Sequence, residues 1–373
     1  MTKRPELTDL TRRLVATPSH DDETAAGAVI ADWLHDHTDA TVEHDPEGAG
    51  VVARKGDPDA ANRVALVGHH DVVAPDASQV TDDALVVEER TVEREDGREE
   101  PRLFGRGSAD MKGAVAAAMV AFRDADAPCT FASFRGEERG GVGARHAIEE
   151  GFRPDYAIVA EGSTNYSKPG VTDVVVAHKG RRGSTVTARG TAAHASEPDR
   201  GENAIYRAAE AVELVRDLDT PEAEVLGVTQ SGTVAVTEIE GGSGWNVIPE
   251  ACSFTVDERT VAGERAPLAQ VEAIDGVSWT VDQDLPPMAC ADDEFAEAVL
   301  AAAVDAQAGT PELVSKPHAT DAGWLAGAGT TCVVCGASEP GEAHTRDESV
   351  SLAVLDRCER IYRGAVERVA AFE

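Results

Sequence analysis

Several apolar runs in this chain stop abruptly at side chains that bind protons or cations. "RVALVGHHDVV" runs into His69, His70 and Asp71, "CTFASFRGEE" into Glu137 and Glu138, and "DYAIVAEGS" into Glu161. "TTCVVCGAS" is followed by His344 in "GEAHTRDESV". Short apolar runs bounded by polar turns read as buried strands. Helix patterns precede and separate them: one starting at Ser19 with an acidic first turn, a small-residue helix from Lys112, and "GVGARHAIEEG". Strands alternating with helices argue an α/β layer structure. The ends of such strands are where α/β active sites gather.

The pattern changes after Lys179. "GSTVTARG", "GTVAVTEIEGG", "CSFTVDERT" and "VSWTVDQ" read as strands, and "ENAIYRAAEAVELVRDL" and "APLAQVEAID" as helices. Their order is β-α-β-β-α-β, a ferredoxin-like α+β unit closed by Pro286-Pro287. The expected organisation is a catalytic domain of residues 1–178 and 287–373, interrupted by an inserted domain at 179–286. "ALVVEERTVEREDGREEPRLFGRG" reads as a hairpin turning at Asp96-Gly97.

Charge excludes some functions. The chain of 373 residues carries 68 acidic and 34 basic side chains, a net −34, so nucleic-acid binding is not expected. No apolar stretch approaches the ~18 residues of a membrane span; the longest, "GAVAAAMVAF", is too short. The N-terminal sequence has no apolar signal core, and a cytoplasmic protein is expected. Only six of the 34 basic residues are lysines, and this acid-rich, lysine-poor surface resembles proteins of extreme halophiles. Of six cysteines only Cys332 and Cys335 form a CxxC, inside a strand pattern that puts them on opposite faces. Core thiols are expected, with no disulfide framework.

The strand ends carry the chemistry. On a strand His69 and Asp71 share a face and His70 points the other way. His69 as metal ligand with Asp71 as orienting carboxylate fits the usual pairing. In "GRGSADMKG" one aspartate, Asp110, sits among glycines before a helix, where it could bridge two cations or simply cap the helix. Of Glu137 and Glu138, one carboxylate can bind metal while the other meets the attacking water. His69, Asp110, Glu138, Glu161 and His344 form a mixed nitrogen and oxygen set that suits zinc, cobalt or manganese.

The order GHxDxV, GRGxxDMKG, a Glu-Glu pair, a strand-end Glu and a late Ala-His resembles the dinuclear zinc amidohydrolase and exopeptidase family. That family includes succinyl-diaminopimelate desuccinylase, acetylornithine deacetylase, aminoacylase and glutamate carboxypeptidase. The resemblance spans nearly the whole chain. It implies a zinc-exopeptidase-like mixed sheet flanked by helices, with the inserted domain acting as a lid and dimerisation element. It implies two divalent ions, zinc first, bridged by Asp110. His69 and Glu161 would complete one position and Glu138 and His344 the other. It also implies a cis peptide at Asp110–Met111, Glu137 as general base and Asp71 as orienting residue.

In the inserted domain "GTAAHASEPDRGENAI" resembles the family segment whose histidine, here His194, reaches the partner subunit's site to steady the oxyanion. Asn246 and Arg259 match substrate-contacting positions, and Thr320 and Asp321 lie where the family has a Thr-Asp pair. "GRRGS" resembles the desuccinylase pattern, making Arg181 or Arg182 a candidate carboxylate anchor. Two departures touch the pocket rim: "GHHDVVAP" has its proline one place late, and Glu161 is followed by Gly162.

The implied activity is amide hydrolysis of an N-acyl amino acid, of desuccinylase or deacetylase type, by a homodimer. The alternatives are a metallo-carboxypeptidase or dipeptidase acting on short peptides, and a non-catalytic metal-binding scaffold. Crowded like charge destabilises a compact state by self-repulsion, and molar salt screens it over about 3 Å. The melting temperature is therefore expected to climb from dilute buffer to molar KCl. A flat or falling curve would count against the halophile reading.

Overall fold

Two of the apolar runs, Val64–His69 and Cys129–Phe134, form strands buried along their whole length. They lie side by side and parallel at the centre of a mixed sheet. The computed structural model describes residues 5–57, 60–82, 84–94 and 97–372. The chain divides into two compact units, one of residues 1–177, 289–316 and 320–373, the other of residues 178–288 and 317–319.

In the first unit the sheet runs Thr41–His44, Val51–Lys55, Cys129–Phe134, Val64–His69, Tyr156–Val159, Thr331–Val334, Val174–His178. The four strands 129–134, 64–69, 156–159 and 331–334 are mutually parallel, and the strands flanking them are antiparallel. Parallel strands buried on both faces need helices on both sides. The run "GAVAAAMVAF" supplies one. It forms most of the helix Gly113–Asp124, buried at every position from Gly113 to Phe122. It packs on the 64–69 and 129–134 strands and on helices Pro5–Ala16 and Leu352–Val369, so its all-round apolarity belongs to a core helix. Among the described residues no helix is long and apolar enough to cross a membrane.

Close approach of that helix to the sheet depends on Gly68. A Cβ there would stand 2.9 Å from both Met111 Cε and Val115 Cγ2. All six cysteines are free and buried, Cys332 and Cys335 among them.

The second unit is a four-stranded antiparallel sheet in the order Thr233–Gly241, Ala251–Thr260, Gly180–Arg189, Val277–Leu285. This is the ferredoxin-like strand order. Every second residue of Ala251–Thr260 is buried, the signature of a sheet covered on one face. Helix Ala204–Arg216 packs there, joining Val186, Phe254 and Val256 to Ala208, Ala211 and Val215.

Four local expectations change. The helix expected from Ser19 is Thr24–His37, because the Ser19 hydroxyl instead donates to the His70 carbonyl, 2.6 Å away. "APLAQVEAID" is a short 3₁₀ helix, Leu268–Ala273, confined between Pro267 and the positive-φ turn at Gly276. An unanticipated hairpin, Glu222–Val225 with Val228–Ser231, follows helix Ala204–Arg216. The strands of the 88–104 hairpin pair as read, but Asp96 of its turn lies outside the described residues.

Candidate metal centre

Because the four central strands are parallel, their C-terminal ends share one edge, and the chain leaving each end delivers a polar group there. His69 closes its strand and is 1% exposed. Its Nδ1 lies 3.1 Å from the Asp71 carbonyl and 3.4 Å from Asp71 Oδ1. Its Nε2 faces Asp110 Oδ1 at 3.1 Å and Glu161 Oε1 at 3.3 Å. His70 turns away to Ser133 Oγ, 2.8 Å distant, and burial pushes it down to about 3, so it stays neutral.

Asp71 lies past the strand's end, where alternation no longer applies, yet it faces His69. It also does more than the sequence indicates. Oδ1 accepts the Glu137 N–H and Oδ2 the Glu138 N–H, both at 3.1 Å. Burial opposes its charge, but the His69 hydrogen bond and these two amides hold its carboxyl below the ordinary value. Glu137 and Glu138 themselves sit in a turn three and four residues beyond Phe134, not on the strand.

Asp110 precedes a cis peptide to Met111. The amides of Ala109 and Asp110 donate to Glu348 Oε1 at 3.0 and 3.1 Å, and Glu348 Oε2 pairs with Arg106 at 2.6 Å. So held, Asp110 turns one oxygen to each histidine: Oδ1 to His69 and Oδ2 to His344 Nε2 at 3.2 Å. His344 Nε2 also meets Glu138 Oε1 at 2.8 Å. The His344 backbone lies in the left-handed region, φ 63°, a conformation costly for a non-glycine residue and enriched at functional sites.

The donors thus fall into two groups. Ligand atoms of Asp110, Glu138 and His344 lie within 4.8 Å of one another, as do those of His69, Glu137 and Glu161. The electrostatics favour cations. Hydrogen bonds to Asp110 and Glu138 push His344 up to about 10. His69 is raised well above its ordinary value, its bonds to Asp110, Asp71 and Glu161 outweighing burial. Burial, with Asp321, Glu161 and Asp110 nearby, raises the Glu137 carboxyl. An all-nitrogen-and-oxygen donor set, with one aspartate offering an oxygen to each group, fits a pair of divalent ions.

Two participants, Lys316 and Glu348, escape a reading of the sequence, and Asp321 of the Thr-Asp pair joins them at the centre. Lys316 ends the strand Leu313–Lys316, and its Nζ meets Glu161 Oε2 and the Gly162 carbonyl, each at 3.1 Å. Glu348 orients Asp110 as described. Asp321 is 3% exposed, neither of its carboxylate oxygens has a hydrogen-bond partner among the described residues, and burial pushes it up to about 7. Its neighbour Thr320 caps the helix Asp321–Gly327, accepting the Ala322 amide, so that hydroxyl is engaged in the fold.

Within the second unit, His194 is exposed on the strand Ala193–His194, paired with Val247 beside Asn246. Its Nδ1 contacts Ser196 Oγ at 2.7 Å. Arg181 and Arg259 are cross-strand partners sharing the Asp257 carboxylate. Arg182 departs from the expected role. It is buried, paired with Glu258, bonded to the Ala266 carbonyl and stacked over Trp279. Its guanidinium is a structural cation of this unit, not a free carboxylate anchor.

A two-group donor cluster at the edge of a parallel sheet fits a two-metal centre, and with the family and relatives below it makes this chain a metal-dependent hydrolase of amide bonds. Residues 65–368 match the peptidase family M20/M25/M40, and the chain belongs to that family. An acetylornithine deacetylase of Myxococcus xanthus is 32% identical over 346 residues, 86% of this chain and 84% of the relative. Another, of Proteus mirabilis strain HI4320, is 29% identical over 283 residues, 70% and 68% of the two chains. Among solved structures, aminopeptidase PepT from Bacillus cereus ATCC 10987 superposes with a TM-score of 0.79 at 20% identity, covering 98% of both chains. The YXEP protein of Bacillus subtilis, described as a dinuclear metal-binding peptidase of the M20 family, gives 0.70 at 16% identity, covering 99% of both.

Asp71 holds three parts of this centre at once. Asp71→Ala is expected to weaken metal binding by about 10–100-fold, the usual cost of losing such an orienting partner. Metal content after dialysis against graded chelator measures it.

Proposed function

We propose that this chain hydrolyses the amide bond of an N-acyl amino acid with two divalent ions, zinc first and cobalt or manganese as alternatives. The observation that carries this reading is the Asp110 carboxylate, which turns one oxygen to each of two donor groups beside the half-buried Glu137. His69, Glu161 and Asp110 would hold one ion, and Glu138, His344 and Asp110 the other. Bound ions would supply an easily deprotonated water and a Lewis acid for the scissile carbonyl. Asp71 keeps His69 Nε2 turned inward and fixes the backbone that carries Glu137 and Glu138. Glu137 accepts the proton of the attacking water and passes it to the leaving nitrogen.

The acetylornithine deacetylase relatives support an N-acetyl substrate. The engagement of Arg182 inside its own unit removes part of the case for a succinyl group. A dipeptide or carboxypeptidase substrate is the second reading, separated from the first by a hydrolysis screen over acetyl, succinyl and dipeptide substrates. A non-catalytic scaffold is not favoured, since Glu137 and all five ligand positions are filled.

Glu137→Ala is expected to keep about two metal ions per chain while turnover falls 10²–10⁴-fold. His69→Ala and Glu138→Ala should lose metal first. Metal analysis beside single-substrate kinetics checks this, and retention of more than about a tenth of the wild-type rate would overturn the base assignment.

We further propose a homodimer through residues of about 180–285, with His194 completing the partner's site. Support comes from the second unit by itself. Among the described residues, six of the eight exposed large hydrophobics lie there, including Tyr206 at 73% and Trp245 at 100%. Its strand Thr233–Gly241 is a sheet edge, with Ile239 59% exposed. An open edge beside apolar side chains invites isologous pairing. Subunit exchange between inactive Glu137→Ala and inactive His194→Ala is expected to restore activity, because one site of the heterodimer then holds both residues. Demonstrated exchange without activity would exclude action in trans.

A further inference from the structure

Glu161 is bound from two sides. Its Oε1 points to His69 Nε2 at 3.3 Å, and its Oε2 is taken by Lys316 Nζ at 3.1 Å. Both residues are buried, Glu161 9% and Lys316 6% exposed, so this pair is sheltered from water and salt. Lys316 is itself fixed at a second point, the Gly162 carbonyl, also at 3.1 Å. That carbonyl belongs to a backbone pressed against Ser338, where a Cβ on Gly162 would stand 2.7 Å from the Ser338 carbonyl oxygen. The ammonium therefore has two rigid acceptors. It sits at the end of a strand, Leu313–Lys316, which pairs with Val174–His178 in the main sheet.

A carboxylate ligand can offer one oxygen or two. An oxygen already held by an ammonium is poorly placed for a metal, since a cation there would face another cation. Resting on the two-metal reading above, we propose that Lys316 is a positioning residue that makes Glu161 a one-oxygen ligand. The position at His69 would then offer an ion one nitrogen and two protein oxygens, from Glu161 and Asp110, leaving room for a water, the open four-coordinate arrangement that catalytic zinc sites use. Lys316 thus tunes one of the two positions and leaves the Glu138–His344 position alone. Hydrogen-bond partners of metal ligands orient them in this way and set affinity.

The test uses metal-free full-length protein retitrated with zinc against a competing chromophoric chelator, which resolves two binding constants. The same protein loaded with cobalt(II) reports geometry, because four-coordinate cobalt absorbs visible light far more strongly than five- or six-coordinate cobalt. Lys316→Met is expected to weaken one zinc constant by about 10–100-fold, leave the other within about twofold, and lower the cobalt absorption of the affected position. Lys316→Arg keeps a buried cation and so keeps the fold where Lys316→Met does not. It is expected to shift the same single constant by less. Unchanged constants and an unchanged cobalt spectrum in a folded variant would overturn the proposal, as would equal loss at both positions. Wild-type protein that binds fewer than two ions would overturn the two-metal reading itself, and this inference with it.

Discussion

Concentration of negative charge at one buried sheet edge is the constraint the rest of the first unit answers to. Asp71, Asp110, Glu137, Glu138 and Glu161 converge there, and isolated carboxylates removed from water are costly. The fold meets that cost with donors that do not move. Asp71 receives two backbone amides and the His69 ring. Asp110 receives His69 and His344, and Glu161 receives His69 and Lys316. Even Glu348, which supports Asp110 from behind, is matched by Arg106. The arrangement is balanced for cations, and the histidines with raised proton affinity show where the demand for positive charge falls.

The architecture makes this crowding possible. Four parallel strands put their C-terminal ends at one edge, so residues far apart in sequence arrive together without long side chains. Each strand is buried up to its last residue, so the polar group sits at or just beyond the strand's end and leaves the layer beneath undisturbed. Gly68 and the small-residue helix 113–124 bring the segment carrying Asp110 close to the strand that ends in His69.

This logic was legible in the sequence where an apolar run met a charged residue. His69, Glu161 and the Glu137-Glu138 pair stand out for that reason, and the ferredoxin-like order of the second unit follows from its alternating strands. Lys316 and Glu348 carry no such mark. Among 68 acidic residues one more acid has no contrast, and "LVSKPHAT" reads as an ordinary polar strand end. Their roles depend on contacts between segments more than 150 residues apart, as in the pairing of Lys316 with Glu161. Local errors have a similar origin. Ser19 has a helix-capping sequence context but spends its hydroxyl on the His70 carbonyl, a partner 51 residues away. Arg182 looked like a ligand anchor because the burial of Glu258 opposite it cannot be seen in one dimension.

The six buried thiols have a further consequence. No sulfur enters the donor set at the strand ends, and burial raises the thiols of Cys332 and Cys335 well above their ordinary value. A protonated thiol sealed in a core is a poor nucleophile and a slow target for oxidants. The nitrogen and oxygen ligands have no oxidation ladder of their own. A donor set built without sulfur leaves the centre no thiol of its own to oxidise.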